Sequence, residues 1–382
     1  MGFSVYLHIP FCEVKCGYCD FFSVPRGFED FDLQEEYAGA LIREIHERSG
    51  EFCGRPVRSI FFGGGTPSLL APVLLEEILD ALARHFSWSR QTEITLEANP
   101  KTVSLEKLRA FREMGFNRIS IGVQSFQDRF LKTLGRIHDG NDARRTVHDA
   151  RAAGFENVSC DLIFALPGQT FADWENDLET AVGLGTDHLS AYHLTIEANT
   201  PFETLHRQNR LLLPPEDDGL RMLTWTRESL AAAGLPAYEI SNFARPGFEC
   251  VHNRNYWRYG DYLGFGAGAA GFVRSKEDSV YGVRRHNVRN LKKYLEREML
   301  DFEDRIDRRT AMGEFCMLGL RTREGIDGQA FASSFGVRVE DVFSGVIARW
   351  KERGHLQGAG SGWSLTPDGL LFTDEVAASF LP

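Results

Sequence analysis

Residues 1–200 alternate short apolar runs with longer stretches of helical spacing. The runs are Val5–Ile9, Ser59–Phe62, Glu93–Leu96, Arg118–Val123, Val158–Phe164 and Leu189–Thr195. Between them, Gln34–Glu47, Val73–His85, Leu105–Met114, Asp142–Ala153 and Phe171–Leu184 repeat their apolar residues along one helical face. A β-then-α rhythm of this kind predicts a parallel sheet with helices packed outside it. Six such units predict an α/β fold built as an open, partial (β/α)6 barrel of the TIM type. Gly115, Gly154 and Gly185 follow helical stretches and suit the left-handed position that closes a helix.

The pattern changes at Pro201. Leu211–Pro215 reads as a linker into a helix over Asp217–Ala233, and Ala237–Ile240 as a further strand. Gly264, Gly266 and Gly268 alternate within Gly260–Gly271, which reads as a close-packed loop; it lacks the following helix of a dinucleotide fold. Arg309–Leu320, Gly328–Phe335 and Val339–Glu352 have helical spacing. A Gly/Ser turn at Gly358–Gly362 then joins Gly354–Leu356 to Trp363–Leu365 as a two-stranded wing. The expected organisation is a barrel over 1–200, an α+β extension over 201–304 and a small winged-helix-like domain over 305–382.

Bulk properties narrow the function. The 382 residues are 43% hydrophobic and 25% charged, ordinary for a soluble globular protein. A formal net charge of −11 argues against a nucleic-acid surface. The winged-helix-like layout raises DNA binding, but from Arg305 onward nine Lys and Arg face ten Asp and Glu, which is no basic footprint. The longest candidate membrane run, Tyr262–Val273, is about half of what a bilayer requires. No signal peptide is expected before the first strand, and Tyr6 breaks the myristoylation pattern that begins at Gly2. A cytoplasmic location is expected. Peripheral contact with a membrane, and monomer against homodimer, stay open.

The chemistry centres on Cys12-Glu13-Val14-Lys15-Cys16-Gly17-Tyr18-Cys19, directly after the first apolar run. Three thiolates suit three irons of a [4Fe–4S] cubane and leave the fourth iron free for a small molecule. A structural zinc is the competing reading; it requires a fourth ligand, and His8 and Asp20 fit poorly. The other four cysteines (Cys53, Cys160, Cys250 and Cys316) are scattered and read as single buried or half-buried thiols.

In such barrels the chemistry collects where the strands end. The second run ends in Gly63-Gly64-Gly65-Thr66-Pro67, where the backbone can approach a ligand and its N–H groups can meet a carboxylate; a tight turn is the alternative. Glu97 ends the third run and Gln124 the fourth. Asp161 lies inside the fifth, where a buried acid requires a partner or a task; Arg136 is a candidate partner, or a ligand for a carboxylate.

The stretch Tyr6-x-His8-Ile9-Pro10-Phe11-Cys12-x3-Cys16-x-Tyr18-Cys19 resembles the signature of radical S-adenosylmethionine (SAM) proteins. It is most similar to the branch holding oxygen-independent coproporphyrinogen III oxidase and the HemW group of haem chaperones. The resemblance holds in order over about 200 residues. It implies that Cys12, Cys16 and Cys19 bind the cluster, and that Tyr6, Tyr18, Gly64, Gly65, Thr66, Glu97, Gln124, Arg136 and Asp161 contact SAM. A second SAM position, as described for the oxidase, is left open.

A second stretch, Asn242–Trp257, is dense in aromatic residues, with Arg245, Arg254 and Arg258 around it. Its His252-Asn253-x-x-Tyr256-Trp257 resembles the haem-associated motif of the HemW group. Haem iron accepts an imidazole, rings pack on the macrocycle and arginines pair its propionates. Haem contacts are therefore expected at His252, Tyr256 and Trp257; His193 and His286 are the alternative iron ligands. The plainer reading is an aromatic segment closing the barrel, with His252 satisfied by hydrogen bonds.

Three features favour the chaperone side of the branch. The oxidase carries a further cysteine where this chain has Phe21. The first strand begins almost at Met1, without the long leading segment of the oxidase. Cys19-Asp20-Phe21 and the His252 motif both match the HemW pattern. The resemblance thus implies a haem carrier with radical-SAM machinery, passing haem to haem-requiring proteins such as respiratory enzymes. The oxidase is the runner-up, and a haem-degrading relative a smaller alternative.

Overall fold

The computed structural model describes every residue except Met1, Arg26, Cys53 and Asp278. The expectation for Cys53 therefore lies outside the described residues; Cys160, Cys250 and Cys316 are buried free thiols. The six apolar runs become β1 (Phe3–Ile9), β2 (Val57–Gly64), β3 (Glu93–Ala98), β4 (Arg118–Gln124), β5 (Asn157–Phe164) and β6 (His188–His193). They pair in parallel in chain order. Strands covered on both faces show few polar positions, which is why they stood out in the sequence.

The crossovers are α1 (Phe31–Arg48), α2 (Pro72–His85), α3 (Leu105–Glu113), α4 (Asp128–Leu134), α5 (Gly140–Ala152) and α6 (Phe171–Gly183). Asp30, Ser104, Asp139 and Thr170 cap α1, α3, α5 and α6 through their side chains. Gly115, Gly154 and Gly185 have φ of 104°, 92° and 70°, as their positions after α3, α5 and α6 require. One core runs between sheet and helices, from Phe3, Val5 and Leu7 to Trp174 and Leu189.

The extension joins the same sheet. After α7 (Pro201–Arg207) and α8 (Glu216–Ala232), the strand β7 (Asn242–Ala244) adds antiparallel to β6. The strand expected at Ala237–Ile240 does not form: Glu239 turns onto its own loop, accepting from Ser241 N and Asn242 Nδ2 at 2.8 and 2.6 Å. The helix α9 (Val251–Trp257) lies against β1 and β2.

Gly260–Gly271 is not a loop. It supplies β8 (Tyr262–Phe265) and the start of β9 (Ala270–Arg274), and β8 pairs in parallel with the free edge of β1. Gly264 is obligatory here, because a Cβ would sit 1.9 Å from the Ala270 carbonyl. With β10 (Gly282–Asn287) and β11 (Leu300–Ile306), the sheet has eleven strands among the described residues, ordered β11-β10-β9-β8-β1-β2-β3-β4-β5-β6-β7.

Beyond α10 (Leu291–Leu295) come α11 (Arg308–Leu320), α12 (Gly328–Phe335), α13 (Val339–Glu352) and the hairpin β12 (Leu356–Ala359) to β13 (Gly362–Leu365). A final helix, α14 (Thr373–Ala378), packs on α11. These helices share a second core containing Phe315, Phe331, Phe335, Phe343 and Phe380, which also takes in Tyr259 and Phe272.

Candidate cofactor site at the barrel mouth

The chain after β1 carries the three cysteines across the mouth of the barrel. Its path is fixed by β2: Gly65 N donates to Ile9 O at 2.9 Å and Thr66 N to Phe11 O at 2.8 Å. The glycine run therefore acts differently from the expectation. Those two N–H groups are engaged by the end of β1 and the segment that follows it and do not face a ligand, while Gly64 N donates to Glu97 Oε2 at 3.2 Å. Close approach is what requires glycine, since a Cβ on Gly65 would lie 2.7 Å from the Pro10 and Phe11 carbonyls.

A cavity of about 460 Å3 opens below this loop. Cys12, Cys16, Cys19, Tyr18, Gly64, Gly65, Thr66, Glu97, Gln124, Arg136 and Asp161 all line it. Tyr6 does not. Its hydroxyl donates to His8 Nδ1 at 3.1 Å, with His8 Nε2–H directed to Phe22 O at 2.8 Å, and its ring packs against Phe61 beneath the mouth.

Arg136 is held by Asn99 Oδ1 at 2.5 Å and Gly122 O at 2.6 Å, and points Nη1 at Cys16 Sγ at 3.6 Å. It is not the partner of Asp161, which takes hydrogen bonds from the Ser190, Ser120 and Ser159 hydroxyls at 2.7, 3.0 and 3.5 Å. Burial raises the Asp161 carboxyl above its usual range. Burial, with the Asp161 charge as the second cause, pushes Glu97 up to about 8. Gln124 sits at φ +67°, a left-handed turn rare outside glycine, where β4 and β5 slip register.

Sequence reasoning passed over Asn99, which joins Thr66 Oγ1 at 2.8 Å to Arg136. It also passed over Ser120, Tyr192 and Glu197, which line the same cavity, as does His193. Ser120 was within reach, because it alternates with Gly122 on one face of β4.

The geometry agrees with what comparison finds. Residues 6–181 match the model of the radical SAM superfamily, and residues 306–372 that of the HemN C-terminal domain. The heme chaperone HemW of Bacillus subtilis is 36% identical over 383 residues, 99% of both chains. That of Escherichia coli is 35% identical, over 99% of this chain and 98% of its own. The chain belongs to the HemW family of radical SAM proteins. The solved E. coli coproporphyrinogen III oxidase (HemN) superposes with a TM-score of 0.83 over 99% of this chain and 90% of its own; at 24% identity this shows the shared fold.

The second segment of interest in this HemW-family chain, α9, is separate from the mouth. His252 is 1% exposed. Its Nδ1 meets Ser59 Oγ at 3.0 Å and its Nε2 meets Tyr256 OH at 2.8 Å, so both ring nitrogens are engaged in this conformation. Burial, with Arg118 as the lesser cause, lowers its pKa to about 3. The backbone N–H groups of Val251 and His252 donate to Glu93 at 3.0 Å, fixing α9 to the base of β3. Trp257 is half-buried, and the Arg321 guanidinium lies 4.8 Å over its ring. Of the other histidines, His193 lies at the mouth with Nδ1 against Leu194 O, and His286 stacks on Phe302 at the far edge of the sheet. Among the described residues no helix is long and apolar enough to cross a membrane.

Proposed function

We propose that this chain binds haem and delivers it to haem-requiring proteins such as respiratory enzymes, with a [4Fe–4S] cluster and SAM held at the barrel mouth. The observation that carries the reading is likeness at 35–36% identity over essentially the whole chain to proteins described as heme chaperones. A cytosolic carrier fits free thiols and an oxygen-sensitive cluster. We propose the same three-part division read from the sequence, 1–200, 201–304 and 305–382.

The residues at the mouth fit the group. Three free thiols surround one cavity, yet among the described residues no three His, Cys, Asp or Glu side chains converge on a single metal-ion position. Three thiolates suit three irons of a cubane, whereas a structural zinc requires a fourth ligand. When bound, the cluster supplies an open iron that SAM can chelate and an electron that can cleave it. Arg136 sets a fixed positive charge beside Cys16. Glu97 lies in the cavity wall, where its carboxyl oxygens can accept from a ribose hydroxyl or an ammonium group. Asp161, held by three serine hydroxyls, offers a carboxylate oxygen that need not reorient. Tyr6 supports the site from beneath, while Tyr18, Gly64, Gly65, Thr66 and Gln124 form its walls. His252, Tyr256 and Trp257 serve haem from one short helix, with His252 and Tyr256 held to each other by a hydrogen bond.

The test is anaerobic titration of the reconstituted protein with haem, with and without SAM, followed by absorbance. Saturation near one haem per chain, and its transfer to an apo-acceptor, is the expected result. No specific haem binding, together with protoporphyrinogen formed from coproporphyrinogen III, overturns the reading in favour of the oxidase.

A further inference from the structure

The cysteine loop is tied to the rest of the mouth by one continuous arc of hydrogen bonds. Cys12 Sγ meets Thr66 Oγ1 at 3.6 Å, and Thr66 Oγ1 accepts from Asn99 Nδ2 at 2.8 Å. Asn99 Oδ1 accepts from Arg136 Nη2 at 2.5 Å, and Arg136 Nη1 donates to Cys16 Sγ at 3.6 Å. One amide therefore stands between the partners of two of the three thiols. It is itself held in place. Asn99 directly follows β3, and its backbone carbonyl accepts from Thr102 N at 3.2 Å and from Thr102 Oγ1 at 2.7 Å.

The arc has a direction, and Arg136 sets it. A guanidinium donates and never accepts, so the Asn99 oxygen must face it. The Asn99 NH2 group then faces Thr66 and fills an acceptor position on its hydroxyl. An amide nitrogen accepts nothing, so the Thr66 proton is left for Cys12 Sγ. Arg136 cannot turn away, because Nη2 is also held by Gly122 O at 2.6 Å. Both ends of the arc thus present a hydrogen to a sulfur. Putting a group that only accepts in place of the amide would reverse the Thr66 hydroxyl and take that donor from Cys12.

Hydrogen bonds to the ligating sulfurs stabilise the more negative, reduced form of an iron–sulfur cluster. We propose that Asn99 is a positioning residue that aims the Thr66 hydroxyl at Cys12 and the Arg136 guanidinium at Cys16, and so sets how readily a cluster at this mouth takes up an electron. This rests on the cluster reading above and adds to it a residue that tunes the cluster through its two neighbours.

The test is a redox titration of the full-length protein, reconstituted anaerobically without SAM and poised with viologen mediators, with the reduced cluster read by electron paramagnetic resonance. Thr66→Val, which removes the hydroxyl, should lower the ratio of reduced to oxidised cluster about tenfold at a fixed ambient potential, or about 59 mV for one electron. Thr66→Ser, which keeps the hydroxyl, should titrate like the parent. Asn99→Asp keeps the size of the side chain and the acceptor for Arg136 but draws the Thr66 proton to its carboxylate. Its added charge lowers the ratio as well, so the diagnostic quantity is the effect of Thr66→Val in that background, which should shrink to less than about twofold. An equal effect of Thr66→Val in both backgrounds, or none in the parent, overturns the role of Asn99 and leaves the cluster reading standing. So does a Thr66→Val or Asn99→Asp protein that takes up no cluster, since aiming a hydroxyl is not needed for loading. A parent that forms no iron–sulfur spectrum overturns the cluster reading itself.

Discussion

His252 offers the sharpest test of how α9 is held. A ring with folded pKa of about 3 and an ordinary value of 6.5 binds fewer protons in the native state than in the unfolded one. Its contribution to stability is therefore complete above pH 6.5 and is lost as pH falls toward 3. Between pH 6.5 and 5.0 that is 1.5 pH units at 1.36 kcal/mol each, about 2 kcal/mol. His8, lowered to about 4, and His188 act with the same sign, so the acid sensitivity of the parent alone is not diagnostic. His252→Gln isolates the term, because the amide donates and accepts but does not titrate. At pH 7.5 the variant should be about 1–2 kcal/mol less stable than the parent, having given up one of two buried hydrogen bonds. At pH 5.0 that gap should close or reverse by up to about 1 kcal/mol. The assay is urea unfolding of both apo-proteins, anaerobic and reduced, at the two pH values. A gap of equal size at both pH values would refute a ring buried in its neutral form between Ser59 and Tyr256.

Replacing Cys12, Cys16 and Cys19 together with Ala should abolish the iron–sulfur absorbance after anaerobic reconstitution; a persisting spectrum would sink the ligand assignment. Gly65→Ala should push the cysteine loop off β2 and cut iron incorporation at least twofold by chemical iron analysis, whereas parent-level iron would show that the loop yields without cost. Glu97, raised from 4.5 to about 8, binds its proton more tightly in the folded state, so the stability it lends fades as pH rises through that window. Relative to Glu97→Gln, the apo parent should lose about 2 kcal/mol between pH 6.0 and 7.5 in urea unfolding; parallel profiles would mean that the carboxyl ionises freely.

The barrel was legible because its strands are buried on both faces and so stand as apolar runs between amphipathic helices. Asp161 could be singled out as an acid inside such a run. What the sequence concealed was set by contacts distant along the chain. Gly260–Gly271 has the composition of a loop, and only the closeness of Ala270 to Gly264 shows it to be paired strands. Thr66 lines the cavity, but its N–H belongs to Phe11 across 55 residues. Arg136 and Asp161 looked like mutual partners; Asn99 and three serines took those roles instead. The alternative reading of His252, satisfied by hydrogen bonds, describes its ring in this conformation.

The position of β8 beside β1 also has a meaning in time. Of the described strands, the one bearing the cysteine loop is made before the others, and it gains β2 on one side once residue 64 is made. Its other edge finds no mate until residues 262–265 emerge. Through most of synthesis, then, the nascent chain carries an unpaired strand next to three exposed thiols, the state most open to aggregation and oxidation. Cluster loading is best deferred until the extension has been translated. Truncated products ending before β8 should be insoluble even though they contain every cysteine of the motif.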